Sequence, residues 1–202
     1  MIFDKSAIQD MGRFERAEFI NALTGPKAVY LIGSRHEEGH ENLALFSSIV
    51  HIGANPPLIG IVFRPDTVRR HTLENIRNNK LFTINSVHPE FIDRAHQTSA
   101  NYDEHTNEFD AVGLDKFYLD GIDVPFVKAS ALNLLVSYQE EYPIKSNGTH
   151  LVIGSIDKVV VDKALVAEDG WVDIFAIKSA VCVGLSRYGE ATFLQKQDYA
   201  RP

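Results

Sequence analysis

The sequence lacks the features that mark secreted, membrane-spanning and nucleic-acid-binding proteins. It has a single cysteine, Cys182, among 202 residues, so an intramolecular disulfide is excluded. No run approaches the roughly 18 apolar residues of a membrane-spanning helix, and the acid-containing N-terminus does not resemble a signal peptide. The net charge of −7 is opposite in sign to the basic footprint of a nucleic-acid-binding protein. We therefore predict a cytoplasmic protein with neither membrane nor nucleic-acid partners.

Motifs of several common enzyme classes are absent as well. The chain has no G-x-G-x-x-G after a strand, no G-x-x-x-x-G-K-[ST] and no G-x-S-x-G, so a resident NAD domain, a P-loop and a nucleophile elbow are unsupported. The sequence His36-Glu-Glu-Gly-His40 does match the zinc-protease pattern H-E-x-x-H. That chemistry needs both histidines on one helix face, whereas Gly39 interrupts this segment and no helical period surrounds it. We predict a solvated turn and no metal site.

The length and the apolar pattern predict one mostly β domain with peripheral helices over residues 1–202. A helix is expected over 13–24, ending at Gly25-Pro26. Strands separated by polar turns are expected at 28–32, 42–50, 58–63 and 81–87, followed by long strands at 126–140 and 150–161. Because regular helices do not alternate with these strands, an antiparallel barrel is favoured over a doubly wound parallel sheet.

Shorter signals complete the predicted secondary structure. Thr72 is a candidate N-cap for a short helix over 72–77, and Pro89 can open another helix at its first position. Asn147-Gly148 is typical of a hairpin turn between the two long strands. The apolar run 174–185 is compatible with either a strand or a helix.

Residues 64–80 reverse the charge of the chain. This segment contains five basic and two acidic residues, which gives it a local charge of +3 and leaves −10 for the rest of the chain. The basic residues are Arg64, Arg69, Arg70, Arg77 and Lys80. They lie before and within a predicted helix whose start carries His71 and Thr72. Free N–H groups at a helix start and guanidinium groups both bind phosphate well. A solvated helix with scattered charges explains this segment equally well on its own.

Two small hydroxyl residues, Ser47-Ser48, interrupt the apolar stretch 42–52. Small residues let a flat ring approach the backbone, and their hydroxyls can bond its polar edge. Taken alone, the pattern is explained more simply by an edge strand with a polar face.

The order and spacing of these segments resemble the flavin reductase-like, FMN-binding split-barrel family, particularly its flavoredoxin-like members. The matching segments run from about Gly25 to Val160; they are Asn42-Leu-Ala, Ser47-Ser48, Asn55-Pro-Pro-Leu-Ile-Gly60, Arg64-Pro65, His71-Thr-Leu-Glu-Asn-Ile76, Phe82-Thr-Ile-Asn85, Ser99-Ala100, Asn107-Glu-Phe109, Gly113-Leu114 and His150-Leu-Val-Ile-Gly154. The resemblance implies a split β-barrel, a homodimer and one non-covalently bound FMN. The chain departs from many flavin reductases in having no cysteine over 131–138.

The resemblance also implies which residues contact the cofactor. The residues expected along the flavin ring are Asn42, Leu43, Ala44, Phe46, Ser47 and Ser48. The residues expected at the phosphate are Arg64, Pro65, Arg69, His71 and Thr72. Further residues expected near the cofactor are Asn85, Ser99, Ala100 and Tyr102.

Three functions remain open at this point. The first is an oxidoreductase in which NADH or NADPH passes hydride to FMN, because the flavin carries the chemistry and no protein nucleophile is needed. In that enzyme His150 could be a polar group near the nicotinamide, although a lone histidine at a strand start is more often structural. The second is a flavoredoxin-type electron carrier that binds FMN, exchanges electrons with a partner protein and does not itself oxidise NAD(P)H. The third is a non-flavin module, such as a haem binder on a related barrel.

Overall fold

The computed structural model describes residues 1–103 and 105–201. Its strands in chain order are β1 Lys27–Ala28, β2 Tyr30–Arg35, β3 Glu41–Phe46, β4 Ile49–Ala54, β5 Pro57–Phe63, β6 Leu81–Ser86, β7 Lys116–Phe117, β8 Phe126–Val127, β9 Leu132–Ile144, β10 Thr149–Val161, β11 Ala180–Val183 and β12 Arg187–Glu190. Its α-helices are α1 Lys5–Asp10, α2 Arg13–Leu23, α3 His71–Asn79, α4 Ile92–Gln97 and α5 Glu108–Val112. Among the described residues, no helix has both the length and the apolar character needed to cross a bilayer.

A seven-stranded antiparallel sheet forms the body of the molecule. Its strand order is β3-β2-β6-β9-β10-β5-β4, so β3 and β4 lie at opposite ends of the order although they are consecutive in the chain. The backbone N–H of Val62 on β5 donates to the carbonyl of Ser48, between β3 and β4, over 3.1 Å. Two small sheets, β1-β11-β12 and β7-β8, complete the strands. The prediction of a mostly β, antiparallel fold with peripheral helices is confirmed.

Apolar side chains on the two faces of the large sheet form separate core clusters. One cluster packs under α3 and includes Leu73, Ile76 and Phe82, each of which has no exposed surface. The other lies under α4 and α5 and includes Leu43 and Phe109. Helix α3 is therefore attached to the sheet through one apolar side.

Several local predictions are confirmed and others need correction. The helix at 13–24, the strands at 58–63 and 81–87, the turn at 36–40 and the hairpin at Asn147-Gly148 are present, and Gly148 takes the left-handed φ of 73°. The predicted strand 42–50 is wrong, because the chain leaves the ladder at Ser47 and resumes as β4 on the other edge of the sheet. The predicted strand 126–140 is two strands, β8 and β9. The ambiguous run 174–185 contains a turn and then β11.

The predicted cap of α3 is also wrong. Arg70 is the N-cap and its side chain accepts no hydrogen bond from the helix start, while Thr72 lies inside the first turn. The hydroxyl of Thr72 instead accepts a buried hydrogen bond from Asn42 Nδ2 at 2.9 Å. A side chain 30 residues away thus uses the group that the local pattern assigned to capping.

Candidate functional site

A cavity of about 450 Å³ lies between the β3–β4 connection, the start of α3, the segment after α4 and the β11–β12 hairpin; we call it the main cavity. Its volume is within the roughly 300–1,000 Å³ range of small-molecule sites. Polar and apolar side chains both line it.

Twelve of the fifteen predicted cofactor residues line the main cavity; they are Asn42, Ala44, Phe46, Ser47, Ser48, Arg64, Arg69, His71, Thr72, Ser99, Ala100 and Tyr102. They come from three separate chain segments, which the fold brings to one place.

The other three predicted residues lie outside the lining. Asn85 is fully buried in β6, where its amide donates to Leu31 O and Thr83 Oγ1 and its oxygen accepts from Val127 N. Placing Asn85 at the cofactor is therefore a misassignment, because its polar atoms serve the sheet. The side chain of Leu43 is fully buried in the core, and Pro65 packs against the β9–β10 turn.

The first turn of α3 borders the main cavity with backbone donors. The first N–H groups of a helix have no partner within it, and among residues 1–103 and 105–201 no side chain caps those of α3. Because Thr72 Oγ1 already accepts from Asn42, its own O–H remains available as a donor. Burial and then the charge of Arg69 lower the pKa of His71, which favours the neutral, single-donor imidazole.

The five basic residues of 64–80 are separated by the fold. Arg64, Arg69 and Arg70 line the main cavity. Arg64 is exposed, and within residues 1–103 and 105–201 it makes no hydrogen bond or ion pair. Arg77 instead pairs with Glu141, and Lys80 Nζ lies 4.1 Å from the ring centroid of Tyr138. The cations at the cavity are therefore the three that precede the helix.

Part of the cavity wall is made from small residues of β3 and the connection after it, Ala44, Ser47 and Ser48. Leu45 and Phe46 lie between them, and the Phe46 ring packs edge-on against Phe63 with centroids 5.1 Å apart. Ser47 and Ser48 come next, and Ser48 Oγ donates to Val62 O at 2.7 Å. A flat ring can approach this backbone closely, because no large side chain projects from the two serines.

Residues missed by the sequence reasoning also line the main cavity, most notably Glu108, Cys182 and Tyr188. Glu108 Oε2 accepts from Leu43 N at 3.0 Å, and burial raises the pKa of its carboxyl. Burial also raises the pKa of the Cys182 thiol and raises that of Tyr188 to about 12. Glu108 lies in the matched segment 107–109, but nothing local indicates that it faces the same cavity as Ser47.

A smaller cavity of about 240 Å³ adjoins the main cavity and shares Asn42, Arg69 and His71 with it. The side chains of His36 and His40 line it, with ring centroids 6.3 Å apart. No three metal-ligating side chains of the described residues come together as a metal site, here or elsewhere.

His150 does not line the main cavity, although its neighbour Thr149 does. Its ring nitrogens face Glu141 Oε1 at 2.5 Å and Asp66 Oδ1 at 3.3 Å. A direct catalytic role is therefore not supported, because both nitrogens face carboxylates of the protein.

The donors at the main cavity fit a flavin mononucleotide. Guanidinium groups, a free hydroxyl and an uncapped helix start are suited to a phosphate dianion. The small-residue wall beside them leaves room for a planar ring. Arg64, Arg70 and Thr72 would hold the phosphate, and Ala44, Ser47 and Ser48 would lie along the ring.

Comparison with known proteins identifies the same fold. The model of the flavin reductase like domain matches residues 24–173. A Shewanella frigidimarina protein described as a flavin reductase with a split barrel domain is 43% identical, with a TM-score of 0.95 over 99% of this chain and 100% of that one. Nitrilotriacetate monooxygenase component B from Bacillus cereus is 20% identical, with a TM-score of 0.85 over 98% of each chain. Flavoredoxin of Desulfovibrio vulgaris is 20% identical, with a TM-score of 0.72 over 87% of this chain and 92% of that one. The predicted split-barrel fold is thereby confirmed.

Replacing Glu108 should change how stability depends on pH. A carboxyl whose pKa is raised by burial keeps its proton in the folded state at a pH where the unfolded state has lost it, so the folded state loses stability as pH rises. Glu108→Gln keeps an acceptor for Leu43 N–H without this ionisation. We expect the variant to gain unfolding free energy relative to the natural protein as pH rises above 4.5, until the raised pKa is passed. Urea unfolding across that range measures the difference. Exposed Glu168→Gln is the control, and a pH-independent difference for Glu108→Gln would contradict the prediction.

Proposed function

This chain belongs to the flavin reductase-like domain family, and we propose that it binds FMN in the main cavity as the redox centre of an NAD(P)H-dependent oxidoreductase. The observation that supports this most directly is the uncapped start of α3, with Arg64, Arg69 and Arg70 beside it, in a cavity partly walled by small residues. FMN, when bound, supplies hydride- and electron-transfer chemistry that protein side chains lack.

The residues of the chain have three tasks in this proposal. Arg64 and Arg70 hold the phosphate by charge-assisted hydrogen bonds, and Thr72 O–H adds a directed donor. Ser47 and Ser48 leave the wall thin enough for the ring to lie against backbone. Glu108 keeps β3 in place through Leu43 N–H, so the ring wall and the phosphate end hold a fixed separation.

A flavoredoxin-type carrier is the alternative, in which FMN is bound in the same way but electrons come from a protein partner. The cavity supports both functions equally, because it contains no feature that requires a nicotinamide. The choice between them depends on turnover with NAD(P)H.

Cytoplasmic location remains a prediction from the sequence, which rests on the single cysteine and on the lack of a signal-peptide or membrane-span pattern.

A homodimer is part of the proposal. The edge strand β4 exposes Val50 and Ile52, 47% and 45% accessible, and α2 exposes Phe14 and Leu23. Apolar side chains on an unpaired sheet edge favour association with another chain. A second copy of this chain over β4 would cover them.

Removing Arg64 should weaken FMN binding without affecting riboflavin, which lacks the phosphate. Arg64→Ala is expected to reduce the free energy of FMN binding by about 1–3 kcal/mol, the amount typical of a hydrogen bond to a charged group. Quenching of flavin fluorescence on titration with flavin-free protein measures both affinities. Arg13→Ala, an exposed arginine on α2, is the control. Equal losses for FMN and riboflavin, or none for either, would contradict the assignment of the phosphate end.

The purified protein should oxidise NADH or NADPH in the steady state when loaded with FMN. Ordinary enzymes turn over at about 1–10³ s⁻¹, and a rate in that range is expected. The absorbance of the reduced nicotinamide at constant flavin concentration measures it. A protein that holds FMN but turns over no faster than free flavin would instead be a carrier.

Sedimentation should show a species of twice 22.6 kDa at micromolar concentration. The double change Val50→Glu and Ile52→Glu places two charges on the exposed face of β4, so we expect monomers. Val68→Glu, an exposed apolar residue outside β4, should leave the dimer intact. Monomers of the natural protein would rule out a stable dimer, and a dimer that survives both β4 changes would place the interface elsewhere.

A further inference from the structure

Four charged or titratable side chains, contributed by the segment 64–70, α3, β9 and β10, form a compact cluster. Arg77 of α3 binds Glu141 of β9 with two hydrogen bonds, Nε to Oε2 at 3.0 Å and Nη2 to Oε1 at 2.6 Å. Its Nη1 also donates to Asp66 Oδ2 at 3.3 Å. His150 of β10 lies between the same two carboxylates, 2.5 Å from Glu141 and 3.3 Å from Asp66. We call these residues the Arg77 cluster.

Asp66 is the member of the Arg77 cluster that belongs to the cavity segment. It follows Arg64 by two residues and precedes Arg69 by three. Asp66 is itself exposed, but its two oxygens contact partners from α3 and β10, which are anchored to the large sheet. The hydrogen bond from Arg77 is the largest influence that lowers the pKa of Asp66, so the carboxylate remains ionised at neutral pH.

Packing next to Asp66 fixes the segment to the same hairpin. Pro65 lies against Gly148 of the β9–β10 turn, where a side-chain carbon on Gly148 would be 3.6 Å from Pro65 Cβ. Arg70 Nε donates to Pro65 O at 3.3 Å, which folds the segment back on itself. Arg69 Nε also donates to Glu74 Oε2 of α3 at 2.8 Å. The segment is therefore held by contacts with both the hairpin and α3.

We propose that the Arg77 cluster is the positioning device of the phosphate end, with Asp66 and His150 holding the segment 64–70 so that its arginines face the main cavity. This proposal rests on the proposed function for the identity of the ligand, but the placement of the segment can be tested without any flavin. His150 acts here through Asp66 and contacts neither flavin nor nicotinamide. This arrangement gives His150 a positioning role, whereas the flavin chemistry itself requires nothing of that side chain.

These contacts predict that breaking the Arg77 cluster weakens phosphate binding specifically. Asp66→Asn removes the charge that both Arg77 and His150 bind, and His150→Gln removes one of the two anchors while retaining a polar side chain. Neither change touches the ring wall. The segment should become mobile while the sheet stays intact, so affinity for the phosphate should fall and affinity for the ring should not.

Limited trypsin digestion of the flavin-free protein is the first measurement, because cleavage after Arg69 and Arg70 requires the segment 64–70 to leave its position. We expect Asp66→Asn and His150→Gln each to be cleaved there roughly threefold faster or more, with the far-UV circular dichroism of the sheet unchanged. Asp157→Asn, which removes a β10 carboxylate that accepts a hydrogen bond from Ser137, is the matched control. Unchanged cleavage after Arg69 and Arg70 in both variants would overturn the proposal, whether or not the protein binds FMN.

Paired titrations with FMN and riboflavin are the second measurement. Both variants should bind FMN roughly three- to tenfold more weakly, with riboflavin affinity changed by less than about twofold. The double variant should lose less than the product of the two single losses, because both act through one contact. Equal weakening of the two ligands would overturn the positioning role, whereas absence of FMN binding by the natural protein would overturn only the proposed function.

Discussion

The buried hydrogen bond between Asn42 Nδ2 and Thr72 Oγ1 sets the geometry on which the rest of the site depends. It ties the first turn of α3 to β3, and a second buried bond, from Asn75 Nδ2 to Ser34 Oγ, ties the same helix to β2. Leaving either buried partner unsatisfied costs about 1–3 kcal/mol, so the helix start is held firmly beside the ring wall. Because Thr72 serves as an acceptor here rather than a cap, the donors at the helix start remain available for an anion.

The distribution of the basic residues follows from this placement. Once α3 is fixed, the three arginines before it border the main cavity, while the helix directs Arg77 toward β9 and Lys80 toward Tyr138. Ion pairs with Glu141 and Asp66 neutralise Arg77, which leaves Arg64 as a cation with no protein partner among the described residues. In the proposed site, one charged segment thus supplies both a binding group and the anchor that positions it.

Much of the fold follows from local sequence patterns, and much of the site does not. Apolar runs and turn residues predict β5, β6 and the Asn147-Gly148 hairpin, because strand burial and left-handed turns depend on the residues themselves. The break at Ser47, the role of Asn85 within the sheet and the Glu141–His150–Asp66 contacts depend on partners far along the chain. The family resemblance supplied twelve lining residues that composition alone could not assign, whereas Glu108 and Tyr188 had no local signal at all.

The central claim is that the start of α3 and the arginines before it bind a phosphate, with the attached ring along Ala44–Ser48. A crystal structure of the protein soaked with FMN tests this most directly. We predict the phosphate within hydrogen-bond distance of the Thr72 hydroxyl and of at least one of Arg64 and Arg70, with the ring against Ser47 and Ser48. A flavin bound elsewhere, or one whose phosphate points to solvent away from α3, would contradict the account.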